Sequence, residues 1–234
     1  ALRAQWGAPV CDAMGIGAGR IEAQTLGRAG EPAEARVEAR LGETTLGFTG
    51  KIGLDLERPR LEGDARFRSG DLGPMLRALM LDAPDLTAGI PAEIAGRARF
   101  ADGRLTLEGL AGVVAGARVG GGLNRDDKGA LTGALKLDHL SLPWLVSLAL
   151  GPPQPARAGA LWSDLRFAPD AFTPPPVRIS VEAAGVTLLS GLVGRNAKAL
   201  VEMAPGRLAI SDAGVEAAGG RVEDPVGVMY PAAV

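Results

Sequence analysis

One histidine and one cysteine bound the chemistry open to this chain of 234 residues. A Ser–His–Asp relay would have to be built around His139, which follows Asp138. In an extended segment neighbouring side chains point to opposite faces, so Asp138 cannot orient His139, and no serine stands in a nucleophile elbow. Cys11 lies 139 − 11 = 128 positions from His139, which suits no metal site, and a single cysteine excludes an internal disulfide. Gly15-Ile16-Gly17-Ala18-Gly19-Arg20 places Arg20 where a dinucleotide loop needs its third glycine, so it reads as the lead-in to a strand starting near Arg20. Gly120-Gly121-Gly122 lacks the Gly-Lys-Ser/Thr ending of a phosphate loop and reads as a bulge or bend within a strand. The acidic pairs Asp126-Asp127 and Glu223-Asp224 occupy turn contexts, as solvated loops do. No general acid and base can be assembled from these residues. The expectation is therefore a protein without enzymatic activity, cofactor or metal.

Composition points the same way. With 34 Gly, 17 Pro and 4% aromatic residues, the chain has few large anchors for a central core. Its 47% hydrophobic content and mean hydropathy of +0.14 are too apolar for a disordered linker. A net charge of −2 offers no basic excess for nucleic acid. No apolar run reaches the roughly 18 residues of a spanning helix. The longest, Leu140 to Leu150, stops at Gly151-Pro152-Pro153. The start at Ala1 suggests a fragment of a longer chain, with any anchor lying upstream.

Period-two alternation supplies the elements. Val37, Ala39 and Leu41 oppose Glu38 and Arg40; Ile52, Leu54 and Leu56 oppose Lys51, Asp55 and Glu57. Further strands carry Ala65 and Phe67, Ala98 and Phe100, Leu105 and Leu107, then Leu131, Leu135 and Leu137, then Val177, Ile179 and Val181, and finally Leu208 and Ile210. Turn signals at Ala101-Asp102-Gly103, Asn124 to Gly129 and Ala204-Pro205-Gly206 join neighbours tightly and predict an antiparallel meander. Two short apolar helices should interrupt it, near residues 71–81 and 141–150. Asp71 and Ser141 can cap them, Pro74 and Pro143 suit the first turn, and the apolar sets Leu72, Met75, Leu76, Leu79 and Leu142, Leu145, Val146, Ala149 share one spacing. Leu161, Ser163, Leu165 and Phe167 share a face of one more strand beside Trp162, and Trp144 covers the sheet from the second helix. The Pro-rich stretch from Gly151 to Arg157 divides a first part, 1–151, from a second, 152–234, with another joint at Pro174-Pro175-Pro176.

Two internal echoes say more than any single residue. Gly103-Arg104-Leu105-Thr106-Leu107 with Gly116-Ala117-Arg118-Val119 returns as Gly206-Arg207-Leu208-Ala209-Ile210 with Gly219-Gly220-Arg221-Val222, displaced by 206 − 103 = 103 positions. Gly63, Phe67, Leu72, Met75, Leu76 and Leu79 return as Gly133, Leu137, Leu142, Leu145, Val146 and Ala149, displaced by 133 − 63 = 70. Repeats of this kind bury apolar faces by stacking on one another, so the expected fold is mainly β: an elongated, curled antiparallel sheet, groove or solenoid-like, with two short helices. Either a second layer closes the apolar side, or the sheet forms a trough open to acyl chains.

The run Leu107-Glu108-Gly109-Leu110-Ala111-Gly112-Val113-Val114-Ala115-Gly116-Ala117-Arg118-Val119-Gly120-Gly121-Gly122-Leu123 resembles the AsmA family of Gram-negative envelope proteins. Gly133-Ala134-Leu135-Lys136-Leu137-Asp138, Leu140 to Gly151, Trp162 to Phe167 and Ala218-Gly219-Gly220-Arg221-Val222 extend the likeness over most of the chain after about residue 50. The resemblance implies a periplasmic protein held by an upstream inner-membrane helix, whose β-groove conducts phospholipid between membranes in outer-membrane biogenesis. The chain lacks that helix and is short for the family. The expected partners are phospholipid acyl chains, and envelope membranes reached through segments outside this chain. Candidate groove residues are Ile52, Leu54, Leu56, Phe67, Phe100, Leu105, Leu107, Leu131, Leu135, Leu137, Ile179, Val181, Leu208 and Ile210. The alternative is a structural β-solenoid or sandwich segment of a secreted adhesin with a closed core.

Overall fold

A computed structural model describes residues 2–6, 19–27, 31–53, 59–73, 89–143, 175–189, 192–204, 207–224 and 228–231. The described part is mainly β. Its strands are β1 (Leu2–Trp6), β2 (Gly19–Leu26), β3 (Ala33–Leu41), β4 (Thr44–Gly53), β5 (Arg60–Ser69), β6 (Ala92–Ala101) and β7 (Arg104–Val114). They continue as β8 (Ala117–Arg125), β9 (Leu131–Ser141), β10 (Val177–Leu189), β11 (Leu192–Ala204), β12 (Arg207–Ala217), β13 (Gly220–Asp224) and β14 (Val228–Pro231). All belong to one sheet, in which β1 to β13 lie side by side in chain order and β14 shares the β12 edge with β13. The path ends without closing on itself.

Short turns impose this order. Asp102-Gly103, Ala115-Gly116 and Ala218-Gly219 are two-residue connections with both residues at positive φ, between 50° and 84°, the geometry that matches the twist of an antiparallel hairpin. One pair departs from the expected meander. β9 and β10 run parallel, Leu131 beside Val177 through Ser141 beside Thr187. A hairpin reverses the chain, whereas the 35 residues between Ser141 and Val177 (177 − 141 − 1) are enough for a crossover that restores its direction. The sheet is thus continuous from β9 to β10 across the Pro-rich stretch. Residues 74–81 and 144–150 of the two expected helices, the Leu161–Phe167 strand, and Leu54 and Leu56 lie outside the described residues, as do Cys11, Trp144 and Trp162.

Where the first helix was expected to begin, Asp71 does act as an anchor: its Oδ1 accepts hydrogen bonds from Gly73 N and Ile90 N, both at 2.9 Å. Ser69 Oγ donates to Asp71 O at 2.7 Å and lies 2.8 Å from Thr44 Oγ1. Thr44 and Ser69 are the buried polar residues of the described part, and their pairing satisfies both hydroxyls.

The first echo is structural. Leu105 and Leu208 fall at matching ends of β7 and β12, and Gly116 and Gly219 close equivalent turns. The correspondence extends to backbone strain. Gly109 (φ 59) and Asp212 (φ 51) are again 212 − 109 = 103 apart, and each sits where the ladder slips. In β7 the slip lies between Leu107 and Leu110 and makes a β-bulge, which admits one extra residue and returns the following side chains to the face the earlier ones occupied. Without it Leu110, Gly112 and Val114 would turn away from Leu105 and Leu107.

A Cβ on Gly109 would meet nothing within 4 Å, so substitution there tests the left-handed backbone alone. Gly109→Ala is expected to cost about 1–2 kcal/mol, read as a lowered urea midpoint. Asp212→Gly should raise the midpoint, because glycine relieves the same strain.

Candidate functional site

Cross-strand register sorts the side chains into rows that run from strand to strand. The first row comprises Ala33, Ile52, Leu61, Phe100, Leu105, Arg125, Leu131, Val177 and Met203, reaching the Leu208 position. The second comprises Ala35, Gly50, Gly63, Ala98, Leu107, Leu123, Gly133, Ile179, Val201 and Ile210. A third row carries Val37, Phe48, Ala65, Gly96, then Leu110 after the bulge, Gly121, Leu135, Val181 and Ala199. The fourth carries Ala39, Leu46, Phe67, Ile94, Gly112, Val119, Leu137, Ala183 and Ala197. Because side chains alternate along a strand, all four rows share one face. Arg125, at a strand end, is the one charge that the described residues place in them.

Every expected groove residue among the described ones thus falls on this face. Phe67 and Leu137, partners in the second echo, share the fourth row; Gly63 and Gly133 share the second. Sequence reasoning missed Leu61, Ile94, Leu110, Leu123 and Val201. Alternation around Leu61 and Ile94 was available as a signal, whereas Leu110 was hidden by the bulge that reverses parity at Gly109.

No described element lies over the four rows. Among the described residues no large side chain is fully buried, and Leu46 is 41% exposed. The two faces nevertheless differ for the same side chain. Ala33, Ala35, Ala92, Ala98 and Ala183, on the apolar face, keep 5% or less of their surface, while Ala95, Ala111, Ala134 and Ala184 opposite are exposed. Ala209, beside the Arg178–Glu202 pair on the charged side, is the exception. Close strand approach belongs to the apolar side too: a Cβ on Gly63 would stand 2.6 Å from Gly50 Cα.

The opposite face is polar and self-compensating. Glu62 Oε1 accepts from Arg97 at 2.8 Å and Arg99 at 3.1 Å, bringing charges from two strands together. Arg99 first and then Arg97 hold the Glu62 carboxyl below its ordinary value by hydrogen bonds and charge. Arg36–Glu38 (3.0 Å), Lys136–Glu182 (3.3 Å) and Arg178–Glu202 (3.2 Å) continue the pattern. A shallow depression of about 680 Å³ on this face has Gly47, Ala95 and Ala111 at its floor and Glu38, Arg40, Arg66, Arg68 and Glu93 around it, a mixed-sign surface.

The residues first singled out for catalysis are not brought together. His139 Nε2 lies 3.0 Å from Thr187 Oγ1, while Asp138 Oδ1 accepts from Arg118 N at 2.8 Å. Among the described residues no cluster of His, Cys, Asp or Glu has the arrangement of a metal site, and no helix is long and apolar enough to cross a membrane. Comparison with family models, curated proteins and solved structures found no match.

Two measurements follow from the contrast between the faces. A solvatochromic apolar dye should bind the native protein, because a contiguous uncovered apolar patch is sticky, and Leu135→Glu should lower its fluorescence without unfolding the sheet. By carbon-detected titration the Glu62 carboxyl should lose its charge at lower pH than a free glutamate. Its small stabilising effect is complete above the ordinary carboxylate range and is lost as pH falls through the lowered value. Arg99→Ala should return that titration toward normal more than Arg97→Ala does.

Proposed function

We propose that this chain is a non-enzymatic lipid-handling module of the AsmA type, whose curled sheet solvates phospholipid acyl chains along its apolar face. The observation that carries the reading is the set of four apolar rows crossing the sheet with no described element over them. Solvating a hydrocarbon tail requires a long uncharged lane, not a pocket of converging polar groups. Strand spacing of about 4.8 Å across the ten strands from β3 to β12 gives a lane on the order of 40–45 Å along its path. Each Leu or Ile in it forgoes roughly 1.5–3 kcal/mol while exposed to water, which acyl contact would recover.

Curling toward the apolar side accounts for the alanines: a concave surface crowds its side chains together and a convex one spreads them. The glycine contacts across β4 and β5 fit the same curvature. The charged face would then meet water as the outside of the trough. In the envelope reading that the sequence resemblance suggests, such a module works in the periplasm, tethered to the inner membrane through a segment preceding these residues, and contributes to outer-membrane biogenesis by passing phospholipid between membranes. The adhesin alternative requires a closed second layer, and no observation favours it over the open face.

Lipid mass spectrometry on the purified protein tests the proposal. Phospholipid should be recovered, and labelled phospholipid should load onto delipidated protein. Paired substitutions Ile179→Glu and Val181→Glu, in adjacent rows mid-lane, should lower loading about tenfold, equal to about 1.4 kcal/mol. A lipid-free preparation that takes up no labelled phospholipid would refute the assignment.

A further inference from the structure

Arg125 is the one charge that the described residues place in the four apolar rows, and its surroundings give it no counter-charge. In the first row it stands between Leu105 of β7 and Leu131 of β9, both half-buried. The turns at this end of the three strands, Asp102-Gly103 and Asp126 to Ala130, belong to the described residues. Asp126 is occupied by its own turn, where Oδ1 accepts from Lys128 N at 3.0 Å and from Ala130 N at 2.8 Å. Asp127 Oδ1 lies 3.9 Å from Arg104 Nε. Arg125 itself is exposed and forms an ion pair with none of Asp102, Asp126 and Asp127. Its guanidinium reaches back over the turn, since a Cβ on Gly129 would stand 3.6 Å from Nη2. Arg60 and Arg104, at the same end of the sheet, alternate to the opposite face.

From Arg125 a furrow leads along β8. The apolar positions of that strand are Leu123, Gly121 and Val119. Gly121, at a φ of 137°, has no room for a side chain, because a Cβ there would collide with Ala134 O. Leu110 of β7 and Leu135 of β9 flank it, so the floor is low between two leucines. This furrow follows the strand, whereas the rows cross it. Its length from Arg125 to Val119 (125 − 119 = 6 residues) is about 20 Å, against the roughly 15 Å that one leaflet contributes to the hydrocarbon core of a bilayer.

We infer that Arg125 takes the phosphate of a phospholipid whose tail lies along β8, with the headgroup at this end of the sheet and the tail running toward Val119. A guanidinium holds a phosphate through paired N–H donors, and its alkyl stem lies on apolar surface while the charged head reaches water. Leucine rows alone bind hydrocarbon without fixing which way a lipid points. A single cation at the head of a furrow fixes it. The group recognised is a phosphate ester, which a lipid headgroup shares with free phosphodiesters; the apolar furrow of matching length favours the lipid. The inference rests on the lipid-handling reading and adds to it the residue that recognises the headgroup and the direction of the tail.

The test loads phosphatidylglycerol and diacylglycerol, carrying the same labelled acyl chain, onto the whole chain and onto Arg125→Gln and Arg125→Lys variants. Circular dichroism checks that the variants fold. The parent chain should bind phosphatidylglycerol about tenfold more tightly than diacylglycerol, the Arg125→Gln variant should lose that preference through weaker phosphatidylglycerol binding alone, and Arg125→Lys should keep part of it. Equal phosphatidylglycerol loading by the parent and Arg125→Gln overturns the headgroup site and leaves the lipid-handling reading standing. A folded Arg125→Gln variant that weakens both lipids alike also overturns it, since the residue then serves the furrow rather than the phosphate. A parent chain that loads neither lipid refutes the lipid-handling reading and the site with it. Glycerophosphoglycerol, the headgroup without tails, serves as competitor and should displace the labelled phospholipid only in large excess. Displacement at equal concentration overturns the lipid in favour of a free phosphodiester.

Discussion

Side-chain parity across a single β-layer is the constraint on which the rest of this molecule depends. A sheet with no described second layer has no interior to sort residues by depth, so apolar and charged side chains are separated only by strand register. A slip of one residue in any strand would carry its leucines to the charged face and its arginines to the apolar one. The bulge at Gly109 in β7 shows the rule by its exception. It adds one residue, the register shifts, and Leu110, Gly112 and Val114 rejoin Leu105 and Leu107. Asp212 stands at the matching place in β12, so the correction is repeated with the strands it serves.

What stabilises such a layer is distributed along it. Backbone ladders satisfy the main-chain polar groups, and cross-strand contacts such as Leu61 against Phe100 and Phe67 against Ile94 add the side-chain term. The ion pairs of the charged face are solvent-exposed and each contributes little. Their consistent placement matters more, because arginines and glutamates opposite the apolar rows make the inverted register unfavourable. The Thr44–Ser69 hydroxyl pair and the Asp71 contacts to Gly73 and Ile90 join β4 and β5 to the approach to β6 at one end.

The proposed function rests on the same arrangement. Converging polar groups make a catalytic centre; a continuous apolar lane backed by a wet face makes a conduit or a docking surface. His139 beside Thr187, and Asp138 turned to Arg118, keep the chain's few reactive side chains on strand surfaces. The apolar rows, in contrast, recur strand after strand.

Local chemistry was legible in the amino-acid order alone. Alternation in β3, β7 and β9, the glycines that permit positive φ at Asp102-Gly103 and Ala115-Gly116, and the echoes of 103 and 70 positions are all properties of a few adjacent residues or of their recurrence. They established a mainly β chain with a shared apolar side. Pairing between distant segments is not encoded that way. Only the tertiary structure set β10 parallel to β9, paired Leu2–Trp6 with β2 as β1, divided the β12 edge between β13 and β14, and left the apolar rows without a described cover. Alternation is equally satisfied by an open face and a closed core, since a strand's own sequence specifies which way each side chain points but not what stands opposite it.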